Sequence, residues 1–241
     1  MQLRFSGIES ETMTHAELLP VGPPVDGEAA KRPERIALYG DRVSVEPLDP
    51  AKHGDALWAG TGGAANQALW RYMHSGPFTE RPPFDAYLEA KAASEDPMYF
   101  ALVDRAAGRA AGHAAYMRID ACQRVIEVGA IVYSPEFQKT RAATEAMFLM
   151  ARYVFEELGY RRYEWKCNVL NDASQRAARR LGFAFEGVFR QHMIVKGRSR
   201  DTAWFAMLDS EWLRRKREFE RWLAPQNFDD SGRQKTRLCH V

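Results

Sequence analysis

Between Val125 and Tyr133 the chain reads Val-Ile-Glu-Val-Gly-Ala-Ile-Val-Tyr, apolar and β-branched around a single carboxylate. That pattern predicts a largely buried strand. Ser134-Pro135 stops it, because proline gives no ladder donor and restricts the residue before it. After a polar loop, Met147, Met150, Ala151, Val154 and Leu158 recur at helical spacing, and Gly159 stands where a left-handed cap belongs. A strand, a polar loop and a helix N-terminus in that order present free backbone N–H groups and the positive end of a helix dipole. Such a junction favours a phosphate or pyrophosphate.

The same reading extends to both sides. Arg42 to Leu48 alternates as a short first strand. Asp49-Pro50 then opens a helix through Trp58, and Asn66 to Arg71 gives a second. Tyr72 to Phe78 is aromatic and turn-rich, either a packed loop or a pocket wall, and Phe84 to Ala93 is a helix broken at Asp96-Pro97. Met98 to Val103 and Ala110 to Arg118 form a hairpin about Asp104 to Gly108. Downstream of the central unit come a strand over Arg162 to Val169, a helix over Asp172 to Leu181 stopped by Gly182, and a hairpin. The hairpin pairs Phe183 to Val195 with Thr202 to Leu208 and turns at Lys196 to Ser199. An amphipathic helix follows from Trp212 to Leu223, and residues 224–241 read as a loose tail. The Glu-, Pro- and Gly-rich start, residues 1–36, reads as an extended arm.

Composition changes this picture little. A 46% hydrophobic and 27% charged chain of 241 residues is ordinary for one soluble globular domain. A net charge of +2 does not argue for nucleic acid, and Arg214 to Arg217 is interleaved with Glu211, Glu218 and Glu220 as a solvated helix face. Cys122, Cys167 and Cys239 suit neither a disulfide framework nor a zinc site, and His53, His74, His113 and His192 have no metal spacing. No secretory signal is evident, and no apolar run approaches the ~20 residues that span a bilayer. The expectation is a cytoplasmic protein with no metal, nucleic-acid or membrane partner.

The junction lacks the glycine fingerprints of dinucleotide and NTPase loops. Gln138-Lys139-Thr140-Arg141-Ala142-Ala143 instead resembles the acyl-CoA loop of the GNAT acetyltransferases, [QR]-x-x-G-x-[GA], with Arg141 at the first glycine. Asn171-Asp172-Ala173-Ser174, Arg180-Leu181-Gly182-Phe183 and Glu186-Gly187 resemble the N-x-x-S…LGF…EG run of the RimJ/RimL-like branch. The resemblance covers roughly residues 38–210. It implies an α/β fold: a mixed, mostly antiparallel twisted sheet of about seven strands, flanked by helices, with a splayed strand pair holding acyl-CoA. The acetyltransferase domain would be 37–210, with 211–241 as a C-terminal helix and tail.

It also implies roles. The backbone of Ala130, Ile131, Val132 and Tyr133 would bond the pantetheine amides as a further strand does. The loop of Gln138, Lys139, Thr140, Arg141, Ala142, Ala143 and Thr144 would hold the pyrophosphate, with the Arg141 guanidinium either on a phosphate or in solvent. Acetyl transfer to an amine needs the amine deprotonated, donors for the oxyanion and a proton near the leaving thiolate. Glu127 is the candidate base, its rivals being a structural ion pair and proton removal through water. Ser174 lies near the sulfur or caps a helix; Asn171 bonds the pantetheine or forms a turn. The tyrosine acid common in the family is replaced by Ala178. The resemblance thus implies an acetyl-CoA-dependent N-acetyltransferase without metal or acyl-enzyme, acting on a small amine or protein N-terminus, with a non-catalytic acyl-CoA-binding module as the alternative. A homodimer through the final helix is open.

Overall fold

In the computed structural model, which describes residues 21–238, eight strands form one sheet in the order β1-β2-β3-β4-β5-β6-β8-β7. The strands are β1 (Leu38–Tyr39), β2 (Val43–Pro47), β3 (Met98–Asp104), β4 (Arg109–Asp120), β5 (Val125–Tyr133), β6 (Arg162–Asn168), β7 (Ala184–Val195) and β8 (Arg198–Leu208). Five α-helices accompany them: α1 (Pro50–Thr61), α2 (Arg81–Ala92), α3 (Arg141–Arg152), α4 (Asp172–Arg180) and α5 (Asp209–Leu223). Among the described residues, no helix is long and apolar enough to cross a membrane.

Strand alternation divides the core into two layers. Met98, Phe100 and Leu102 of β3 face the layer of α3 and α5, with Phe148, Met150, Trp212 and Phe219. Tyr99 and Ala101 face the layer of α1 and α2, with Leu57, Trp70, Phe84 and Leu88. This is the period-two rule for a sheet covered on both faces.

The rule breaks at two places, both beside the cleft. Ile126 and Val128 of β5 face the α3 layer, yet Val132, of the same parity, faces the α1/α2 layer. Between them Ala130 takes φ +50° and the register with β4 shifts. On β4, Arg118 takes the same φ beside a second shift, so that Met117 and Arg118 both reach the cleft while Ile119 returns to the α3 layer. An inserted residue reverses which face the following side chains take.

The boundaries depart from the sequence expectations in four places. Asn66–Arg71 is not an α-helix but part of a tighter 3₁₀ segment, Ala64–Trp70, held by Trp70 Nε1 donating to the Thr61 carbonyl. The last hairpin turns on Lys196-Gly197 alone, both at positive φ, so β8 begins at Arg198. Residues 225–238 are not loose: Phe228 bridges Gln234, Trp222 Nε1 donates to the Gln234 side chain, and Leu238 is buried. The arm, from residue 21 onward, is extended but anchored, with the Ala30 and Lys31 amides donating to the carbonyls of Ala121 and Leu158. Residues 1–20 and Cys239 lie outside the described residues.

Candidate active site

β5 and β6 run parallel and pair only over Val125–Glu127 against Arg162–Glu164. Beyond Glu127 they part, and the backbone of Val128 to Tyr133 has no strand partner on that side. A cleft of about 370 Å³ opens in the gap. Its walls come from β4, β5, β6, α2, the loop after the 3₁₀ segment, the start of α4 and the β7–β8 hairpin.

Glu127 is the last paired residue and is 3% exposed. Its Oε2 accepts from Arg118 Nη1 at 2.6 Å and lies 3.0 Å from Lys166 Nζ. Both cations therefore hold one oxygen. A Cβ built on Gly129 would lie 2.5 Å from Met117 Sδ and 3.3 Å from Oε1, so the second oxygen lies beside Gly129 and the Met117 thioether, away from both cations. The pairing anticipated as a rival to catalysis is present, and it leaves half of the carboxylate available. Lys166 also bonds Glu164 and rests 3.8 Å over the Trp204 ring. Glu164 in turn binds Arg162, whose pKa the Glu186 carboxylate raises, so ion pairs run from the cleft to β7.

Of Ser174 and Asn171, it is Asn171 that caps the helix. Asn171 is the cap of α4, its side chain accepting from the Ser174 amide at 3.1 Å. Ser174 is therefore no cap: its Oγ accepts from Trp165 Nε1 at 3.0 Å and lines the cleft beside Cys167. Burial pushes the Cys167 thiol up. Ala178, at the position of the family's tyrosine, is fully buried.

The expected donor-binding stretch is only partly free. His113 Nδ1 sits 2.9 Å from the Ala130 carbonyl, which removes that acceptor from the free edge. Burial holds the His113 imidazole at about 4, so the ring is neutral, donating from Nδ1 and receiving Tyr87 Oη at Nε2. Ile131 and Val132 lie on the unpaired edge, whereas the Tyr133 ring turns inward onto Phe137 and its hydroxyl has no partner among the described residues. In the loop, the Gln138 side chain reaches the Tyr133 carbonyl and Lys139 takes φ +62°. Thr140 caps α3 by accepting from the Ala143 amide, and its carbonyl accepts the Thr144 amide. Ala143 and Thr144 thus have no free amide, which leaves those of Lys139, Arg141 and Ala142 at this end. Thr144 Oγ1 instead accepts from Arg180. The Arg141 guanidinium is not loose in solvent: it stacks 4.3 Å over Phe228 of the C-terminal segment.

Sequence reasoning missed the cations of the cleft. Lys91, Arg118, Lys166 and Arg200 line it against one carboxylate, Glu127. Arg118 and Lys166 stand inside strand runs and Arg200 next to an expected turn, where a charge signals nothing about which side it faces. His74 and His192, read as bland, line the cleft too.

Comparison with known proteins agrees with this architecture. The model of the acetyltransferase (GNAT) domain family matches residues 42–184, more than half of the chain. A GCN5-related N-acetyltransferase from Brucella melitensis superposes with a TM-score of 0.86 at 47% identity, covering 88% of this chain and 96% of that one. The chain belongs to the GNAT acetyltransferases and is an acyltransferase. YdaF of Bacillus subtilis (strain 168), assigned as a ribosomal N-acetyltransferase, is 30% identical over 105 residues, 44% of this chain. The chain spans 57% of the length of YdaF. YnaD of the same organism, an uncharacterized N-acetyltransferase, is 27% identical over 60% of this chain and 82% of its own length.

Proposed function

We propose that this acyltransferase moves an acetyl group from acetyl-CoA to a primary amine by direct attack, with both substrates bound together. The observation that carries the reading is the parting of β5 and β6 immediately after Glu127, which gives one cleft both an unpaired strand edge and a carboxylate. Acetyl-CoA supplies an activated acyl group on a pantetheine arm whose amides suit an unpaired edge. The residues fit such a group: Ile131 and Val132 offer the edge, Asn171 lines the cleft, and the amides of Lys139, Arg141 and Ala142 at the start of α3 are free for the pyrophosphate.

Within the cleft, Arg118 and Lys166 fix the Glu127 rotamer through Oε2, leaving Oε1 to take a proton from the amine, directly or through one water. The Ser174 Oγ accepts from Trp165 and its hydroxyl lies in hydrogen-bond reach of Cys167, so delivering its hydrogen to the departing sulfur requires it to rotate away from that thiol. Cys167 is kept as a thiol by burial, which favours transfer without an acyl-enzyme. The acceptor is a small amine or a protein N-terminus, and the ribosomal assignment of YdaF supports the second.

Isothermal titration with acetyl-CoA tests the reading, followed by thiol release with a panel of amines. Binding near 1 μM, about −8 kcal/mol, is expected. An Arg141→Ala variant should bind more weakly. Absence of binding to folded protein would sink it.

A further inference from the structure

Among the described residues, Arg200 is a buried cation with no carboxylate partner. Its side chain enters the cleft from β8, beside Met193 of β7, and the residue is 8% exposed. Nη1 lies 3.2 Å from His74 Nε2, and Nε has no hydrogen-bond partner among the described residues. Burial, then the Arg200 charge, hold the His74 imidazole below its usual value, so His74 is a neutral acceptor and brings no counter-charge. An arginine buried without an anion is costly. Its neighbours add to the imbalance. Lys91, from the last turn of α2, rests over the rings of Tyr87 and Tyr99, 5.5 Å from each. Arg118 and Lys166 are satisfied by Glu127 and Glu164. The cleft is thus lined by four cations against one carboxylate, which is already paired.

Resting on the transferase reading above, we infer that the acceptor amine carries an oxyanion, carboxylate or phosphate, which docks on Arg200 with Lys91 alongside. The planar guanidinium presents parallel N–H donors to either group. Glu127 then receives the amine within the same cleft. A cationic acceptor such as a polyamine meets four like charges against one opposite one and is disfavoured.

The test is kcat/KM with acetyl-CoA for matched amine pairs. One pair is a dipeptide led by aspartate against the same dipeptide led by asparagine; the other is phosphoethanolamine against ethanolamine. The first separates a carboxylate and the second a phosphate. At least a tenfold preference for the anionic member is expected in one pair. In Arg200→Met that preference should fall toward one, with Arg200→Lys intermediate. Calorimetric binding of the N-acetylated products to wild-type protein should show the same order without turnover and without any variant. A preference for neutral or cationic amines, or an unchanged preference in Arg200→Met, overturns the inference while leaving the transferase reading standing. So does a weaker acetyl-CoA affinity in Arg200→Met with selectivity intact, since the guanidinium would then serve the donor. If acetyl-CoA fails to bind or no amine of any class releases thiol, the transferase reading falls, and this inference with it.

Discussion

The two oxygens of Glu127 have different neighbours, and a substitution distinguishes them. Glu127→Gln keeps the shape but removes the negative charge that Arg118 and Lys166 share, and it cannot accept a proton from an amine. Turnover should fall about 10²-fold while the acetyl-CoA dissociation constant holds within about threefold. Equal loss of both would mean that the ion pair builds the cleft and that proton removal runs through water alone. Ser174→Ala removes a proton source and the partner of Trp165 Nε1, so a smaller fall, about tenfold, is expected in kcat. Single-turnover kinetics would show it in the chemical step.

At the scale of elements, one side chain of α3 ties the helix to the start of β2 by three hydrogen bonds. The buried Glu145 carboxylate accepts the amides of Asp41 and Arg42 at 3.1 and 2.7 Å and that of Val43 at 3.1 Å, tying the start of β2 to the helix behind the loop. Glu145→Ala leaves those donors unmet. It should cost about 3 kcal/mol in chemical denaturation, with Tm lower by roughly 6–12 °C. A change below about 1 kcal/mol would mean that water replaces the carboxylate. The order of elements was legible from Asp49-Pro50, Asp96-Pro97, Ser134-Pro135, Gly159 and Gly182, because these residues interrupt periodic runs for steric reasons. The face reversals at Arg118 and Ala130 were not legible. Neither residue favours positive φ, so no local signal exists, and the partners are tertiary: the His113 imidazole bonds the Ala130 carbonyl, and the Asp96 carboxylate accepts the Arg118 and Ile119 amides. For that reason the strand carrying Glu127 was readable and the cations facing it were not. Glu145 was equally silent, since a glutamate on an amphipathic helix normally faces solvent.

At the scale of the whole molecule, the shifted histidines act in one direction. His113 is held at about 4, and burial also lowers His53 and His74. A histidine whose folded pKa lies below its unfolded value binds fewer protons when folded. Its stabilising contribution is present above about pH 6.5 and fades as pH falls toward 4. Glu46 and Glu186, lowered by Lys52 and by Arg162, lose stability in the same sense as acid protonates them. Urea unfolding should therefore show weaker stability at pH 5 than at pH 7, with His113 alone contributing about 2 kcal/mol of the difference. In His113→Gln the profile between those values should flatten; an unchanged slope would assign it to the carboxylates.

The parting of β5 and β6 also bears on solubility. A strand with an unsatisfied row of N–H and C=O groups is ordinarily a template on which other chains stack and precipitate. Here the unfinished row faces a cleft within one sheet, where β6 and the β7–β8 hairpin stand in the way of a strand from a second chain adding alongside it. The same backbone that would seed aggregates on an outer edge is left open only to something thin and extended, so this fold keeps a reactive edge without exposing it.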